Sequence, residues 1–374
     1  MKILMVTPYF PPHVGGMENF AYKLSNRLYE AGFEVGVLTT AIPLNAQLNL
    51  PYQVRRVKPG IVVMRNPLAF SLLNEIDYMK RFDIIHAHDE HAFTTNIVAL
   101  AKRKHKKALI VHSHGLFYPE SVLEALVMHI YNRTLGKWSL KSADRVIALS
   151  RNDAKFIEKL GIKKENIEIV PNAIDPADYE TNIDYYDFIE KYGLDGWKVV
   201  LYVGAIIKRK GLNLLIKAID LVRENLKIKL LVIGEGKFKK KCEKLVKELK
   251  LQENVIFLGR VPREELLKAY KTTDVFALPS LVEGVPTVVL EAYLYGKPVV
   301  AFKIPEIAEY FSNSALLVPP GDVAELASAI RELLENPKKV FSLVEKGREL
   351  LKKTFSWDKV AGDIVKIYEN LLRG

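Results

Sequence analysis

Aliphatic residues fall along this chain in short unbroken runs, and between the runs apolar positions recur every third or fourth residue. Runs at 3–7, 34–40, 61–64, 84–86, 109–112, 145–149 and 167–170 form one series, and runs at 198–203, 229–233, 255–258, 275–278, 298–302 and 315–318 form a second. They do not alternate with polar residues, which predicts parallel strands covered on both faces. The stretches 18–30, 237–250 and 263–273 read as amphipathic helices, with Leu245, Leu249, Leu266 and Leu267 on apolar stripes and Ala31-Gly32 as a helix stop. Strand and helix alternating over the whole length predicts a doubly wound α/β fold. The series restarts near residue 198, after a polar, aromatic and acidic stretch at 175–195. A chain of 374 residues exceeds what one core usually serves, so two Rossmann-like domains with a cleft between them are expected.

Four segments next to these runs carry candidate chemistry. Pro11-Pro12-His13-Val14-Gly15-Gly16-Met17-Glu18 follows the first run and opens the first helix. Its two glycines suit close backbone approach to an anion at a helix N-terminus, or simply a tight strand–helix turn. It is not G-x-G-x-x-G, so the dinucleotide fingerprint is missing. His86, His88, Asp89 and His91, then His112 and His114, crowd two strand ends, where open α/β sheets bind ligands. They match no H-E-x-x-H helix, and alternate strand residues point to opposite faces, so a cleft contact or acid/base group is expected rather than a metal site. Lys208-Arg209-Lys210-Gly211 leads from a strand into a helix and reads as an anion-capturing turn or a solvated basic one. The segment from Pro279 to Ala292 is the most informative. Pro286 suits an early helix position, N–H groups near Val285–Thr287 can meet a phosphate, and Glu291 lies one to two turns into the helix among Val289, Leu290, Ala292 and Tyr293. A carboxylate in that apolar setting needs partners, either ribose hydroxyls or a structural Arg or Lys.

Bulk composition narrows the classes. Cys242 is alone, so no disulfide framework or C-x-x-C metal site exists, which fits a reducing, cytoplasmic compartment. The N-terminal apolar run stops at Pro8, too short for a signal sequence, and no stretch approaches a spanning helix. A soluble protein, or one peripheral on the cytoplasmic membrane face, is expected. The net charge of +11 admits nucleic acid, an anionic membrane or a phosphorylated substrate as partners. The densest run, residues 102–107, suits a solvated helix end or a membrane contact.

Together these segments resemble the retaining glycosyltransferases of family 4 (glycosyl transferases group 1), which have the GT-B fold of two facing Rossmann-like domains across a deep cleft. Glu283 and Glu291 match the family's E-x7-E signature, Gly15-Gly16 its glycine loop, and Asp83-Ile84-Ile85-His86-Ala87-His88 its histidine strand. Val170-Pro171-Asn172-Ala173-Ile174-Asp175 looks like the segment opening the linker, Arg209-Lys210-Gly211 like the donor loop, residues 255–261 like the base-binding strand and turn, and Phe355-Ser356-Trp357 like the start of the last helix. The resemblance covers nearly the whole chain. It departs at Ala205, where the family commonly has Arg after Gly204, and at Ala173, where glycine is usual.

The resemblance implies an N-terminal acceptor domain over residues 1–171, joined by the C-terminal helix at about 356–374, a linker over 172–196, and a nucleotide-sugar domain over 197–355. It implies that Glu291 holds the ribose, and that Glu283 meets the sugar with Gly284, Val285, Pro286 and Thr287 around it. Arg209 and Lys210 neutralise the diphosphate, approached by Gly15 and Gly16, while Val261 holds the base and His114 lies near the transferred sugar. The expected substrate is a UDP-, GDP- or ADP-sugar, with no metal and no cofactor required. The acceptor is open (glycan, small molecule or lipid-linked) and is assigned to loops at 43–56 and 116–138, with Phe117, Tyr118, Tyr131 and Trp138. No nucleic-acid partner is expected. The rival readings are a GT-B sugar-nucleotide 2-epimerase and a non-enzymatic basic binder of nucleic acid or membrane surface.

Overall fold

The computed structural model describes residues 1–13, 15–44, 48–64, 66–115, 119, 121–179 and 182–373. The chain divides into two units, residues 1–172 with 357–374, and residues 173–356. Among the described residues the main sheet of the first has seven strands: β1 (Lys2–Thr7), β2 (Glu34–Thr40), β3 (Gln53–Val57), β4 (Ile84–His88), β5 (Ala108–His112), β6 (Arg145–Ala148) and β7 (Ile167–Ile169). They form one parallel sheet in the order β3-β2-β1-β4-β5-β6-β7. The second holds β8 (Lys198–Val203), β9 (Ile228–Ile233), β10 (Val255–Gly259), β11 (Val275–Leu278), β12 (Val299–Phe302) and β13 (Leu316–Val318), parallel in the order β10-β9-β8-β11-β12-β13.

In both sheets the strand order reverses beside the first strand, between β1 and β4 and between β8 and β11. Such a reversal leaves a crevice at the carboxyl ends of the strands, the position where open α/β sheets take ligands. The central strands are buried along their length, as unbroken aliphatic runs require. The helices used below are α1 (Gly16–Glu30), α2 (Phe93–His105), α3 (Val122–Arg133), α4 (Leu135–Ser142), α5 (Leu212–Val222), α6 (Arg263–Thr272), α7 (Thr287–Leu294) and α8 (Trp357–Arg373). Helix α1 ends as the Ala31-Gly32 signal predicts. Gly32 is left-handed, and Phe33 N–H and Gly32 N–H return to the carbonyls of Leu28 and Tyr29. Helix α8 belongs to the first unit, where Trp357 packs on Phe20 at 5.1 Å between ring centres.

One strand expectation fails. Residues 61–64 do not enter the sheet; Val62–Val63 is an exposed two-residue strand paired antiparallel with Asn66–Pro67. The edge position is taken by β3, which overlaps the end of the stretch read as a loop at 43–56. Its sequence, Gln53-Val54-Arg55-Arg56-Val57, is polar because an edge strand carries charge to discourage pairing with other chains.

The sharpest backbone constraint lies in the second unit. Gly211 is left-handed (φ +68°), and a Cβ placed there would stand 1.9 Å from the carbonyl oxygen of Pro279. Gly211→Ala is therefore expected to cost about 2 kcal/mol or more, read as a drop in the unfolding midpoint. An unchanged midpoint would mean the loops separate freely.

Candidate functional site

In the second unit two of the singled-out segments meet beside the reversal between β8 and β11. The chain leaves β8 at Gly204-Ala205, turns through a single 3-10 turn at Lys208–Lys210 and enters α5 at Gly211. The chain leaving β11 crosses it: Leu281 N–H donates to Arg209 O at 2.8 Å, and the Arg209 guanidinium donates to Val282 O at 3.2 Å. These bonds carry the Lys210 ammonium to Glu283, where Nζ and Oε1 lie 2.5 Å apart in a largely buried pair. Val285 and Pro286 are buried, Gly284 is partly exposed and Thr287 faces solvent at the start of α7. Pro286 is the residue before the helix rather than its first member, and the open N–H groups begin at Thr287. Val261 follows β10, two strands away from β8.

Glu291, on α7, has both oxygens engaged. Tyr179 OH donates to Oε1 at 2.9 Å and Tyr270 OH, from α6, to Oε2 at 2.7 Å. Burial raises its pKa above the ordinary carboxylate value, and the two hydroxyls and the Arg263 charge pull it back. Arg263 also stacks over the Tyr179 ring at 4.7 Å and donates to Asp178 O. An ionised carboxylate can accept about four hydrogen bonds, so two hydroxyl donors leave capacity for a diol. Neither tyrosine was legible as a site residue, because they stand 112 and 21 positions from Glu291 in the chain.

The first unit gathers its chemistry at the carboxyl ends of β4 and β5. Residues His86, His88, His112 and His114 form a stack, with His86–His88 and His112–His114 ring centres 4.6 Å apart and planes within 12°. His88 Nδ1 meets His114 Nε2 at 2.8 Å, and His86 meets His112 at 3.2 Å and the Tyr368 hydroxyl of α8 at 2.5 Å. Ring nitrogens of His86, His88 and His112 lie within 4.8 Å of one another. Their planes are nearly parallel, where ligands of one ion would converge. Burial depresses every one of these imidazoles, His86 to about 3 and His114 to about 4. His114 is thus a neutral hydrogen-bonding group rather than an acid at ordinary pH.

Beside the stack, Asp89 adopts a left-handed backbone (φ +72°), unusual outside glycine. Glu90 is buried on Ser113, and His91 is raised to about 9 by the Glu90 and Asp89 charges against the opposing effect of burial. At the glycine loop, the Glu18 carboxylate folds back toward Gly15 and meets His13 at 3.1 Å, while Val14 lies outside the described residues. So do Phe117 and Tyr118. Trp138 packs against the core, and Tyr131 donates to Glu90 O and to Asn96. The basic run 102–107 ends α2 and precedes β5, so it stands at the amino-terminal end of that strand, away from the histidines at the carboxyl ends. Among the described residues no helix is long and apolar enough to cross a membrane.

The model described as Glycosyltransferase Family 4 matches residues 14–178, and the one described as Glycosyl transferases group 1 matches residues 187–350. An uncharacterised glycosyltransferase of Methanocaldococcus jannaschii is 25% identical, covering 99% of this chain and 98% of its own. The phosphatidyl-myo-inositol mannosyltransferase of Mycobacterium leprae is 26% identical over 99% and 97%. Among solved structures, Anabaena HepE in complex with UDP superposes with a TM-score of 0.83 at 21% identity, over 99% of this chain and all of its own.

The depressed histidines set a pH dependence of stability. Imidazoles neutral when folded and protonated when unfolded favour the unfolded chain as pH falls. Stability complete above about pH 6.5 is lost as the pH drops toward about 4, by up to about 1.4 kcal/mol per pH unit for each. His91, raised, contributes fully below about pH 6.5 and loses its contribution only as the pH climbs through about 9, so it leaves the acid window alone. Urea unfolding between pH 6.5 and 4.5 should show this decline, with a shallower slope in His112→Gln. Equal slopes would mean that His112 titrates normally.

Proposed function

The chain belongs to glycosyltransferase family 4 and is a transferase of GT-B fold, and on that premise we propose that it moves a sugar from a nucleotide-diphosphate donor to an acceptor hydroxyl, with retention of configuration and without a metal ion. The observation that carries this is the buried Lys210–Glu283 pair at the strand reversal of the second unit, with Glu291 on the helix α7 that follows. The UDP complex of HepE supports a nucleotide-linked donor. Glu291 takes the ribose hydroxyls, and Val261 lies beside the base. Lys210 and Arg209, with the N–H groups at the start of α7, take the diphosphate. Gly284, Val285, Pro286 and Thr287 surround the sugar with Glu283. Gly15, Gly16 and His114 are assigned to diphosphate and sugar by resemblance.

Neither acid of the E-x7-E pair suits a nucleophile. Glu283 is tied to Lys210 and Glu291 to two tyrosines. The reaction consistent with this is front-face displacement. The bond from the anomeric carbon to the diphosphate oxygen breaks, the acceptor oxygen bonds to that carbon from the same face, and the acceptor proton passes to the departing phosphate. Cations and helix N–H groups aimed at the leaving charge supply the stabilisation. Donor binding is then an exchange, in which the diphosphate takes Lys210 from Glu283 and frees that carboxylate for the sugar.

Thermal shift with UDP, GDP and ADP tests the reading. One nucleotide should raise the melting point, and Glu291→Ala should abolish the response. No response to any of the three sinks the proposal. Lys210→Ala should lower kcat/KM by roughly 100-fold or more with the fold intact, as read by circular dichroism, and wild-type turnover would remove Lys210 from the site.

A further inference from the structure

Helix α3 is turned inside out. At about 100° per residue, Val122, Leu123, Leu126, Val127 and Ile130 share an arc of about 140°, and all five are exposed, between 42% and 88%. No residue of the helix is buried. The opposite face carries the polar contacts to the body of the unit: Tyr131 to Glu90 O and Asn96, and Asn132 to His91 Nε2 at 3.1 Å. A helix packed for its own stability would bury the aliphatic arc and wet the polar one. Here the hydrogen bonds hold the aliphatic arc outward, and Leu135 at the start of α4 extends it.

Charge says what covers this face. The first unit has 26 Lys and Arg against 18 Asp and Glu, so it holds eight of the eleven net positive charges. Between residues 91 and 143, eight Lys and Arg stand against two acids, Glu120 and Glu124. Arg133, Lys137 and Lys141 follow the aliphatic arc directly. We propose that α3 is a membrane-docking helix, its aliphatic arc entering the surface of an anionic phospholipid bilayer while the basic first unit is drawn to the headgroups. The run 102–107, at the amino-terminal end of β5, adds to the field but not to the contact. Because α3 is bonded to His91 and Glu90, docking sets the loop after β4 close to the lipid. The corollary that the acceptor is lipid-borne rests on the transferase reading; the docking itself does not.

Full-length protein sedimented with vesicles tests this. It should pellet with vesicles of phosphatidylcholine and phosphatidylglycerol in equal parts, less in high salt, and remain in solution with phosphatidylcholine alone. Leu123→Asp/Leu126→Asp/Ile130→Asp should lower binding about tenfold or more while keeping the wild-type melting point and nucleotide response. Wild-type protein staying in the supernatant, or the triple variant pelleting as wild type does, overturns the proposal. So does a dimer in sedimentation velocity that the same variant dissolves without any vesicle binding, since a second copy would then own the face. Vesicle binding with no nucleotide response leaves the docking surface standing and removes the transferase reading.

Discussion

Where Gly211 passes the carbonyl of Pro279, two loops share a space with no room for a methyl group, and the candidate site of the second unit is arranged around that approach. It fixes the distance between the ends of β8 and β11, so that Leu281 N–H reaches Arg209 O and Lys210 reaches Glu283. A second approach of the same kind lies one strand over, where a Cβ on Gly234 would stand 1.9 Å from Gly204 O. Backbone meeting backbone gives little play, since there are no side-chain rotamers to adjust. The start of α7 and its open N–H groups are carried along as a rigid consequence.

The first unit solves a related problem with side chains. Its sheet reverses beside β1, as the second does beside β8, yet the end of β4 and β5 is filled by a stack of imidazoles closed by Tyr368. Stacked neutral rings form a polar yet uncharged wall, which avoids burying charge without a partner. Charge is confined to the neighbouring loop, where Asp89 and Glu90 hold His91. Helix α8 takes part through a single hydroxyl, so the last helix of the chain is built into the floor of that region.

The architecture was legible because buried parallel strands write themselves as aliphatic runs, and the E-x7-E spacing and the donor loop are local enough to read directly. Two things were not. Strand β3 hid because an edge strand advertises charge, and the exposed Val62-Val63 drew attention in its place. Tyr179 and Tyr270 hid because their partner, Glu291, is brought to them only by the fold. The histidines were visible as a cluster, but their mutual stacking and loss of charge depend on burial, which no spacing reveals. Likewise α3 lay within the stretch read as a loop at 116–138, and both its helical form and the face it turns outward emerge only in the structure.

The backbone approach at Gly211 has an evolutionary consequence. Because the loops are registered without side chains, residues such as Ala205 and Leu281, both exposed, can be exchanged without moving Lys210 or Glu283. Ala205, where the family resemblance leads one to expect arginine, is one such position. On the proposed reading, preference for one sugar or another can therefore drift by single substitutions, with the frame that grips the phosphates held constant throughout.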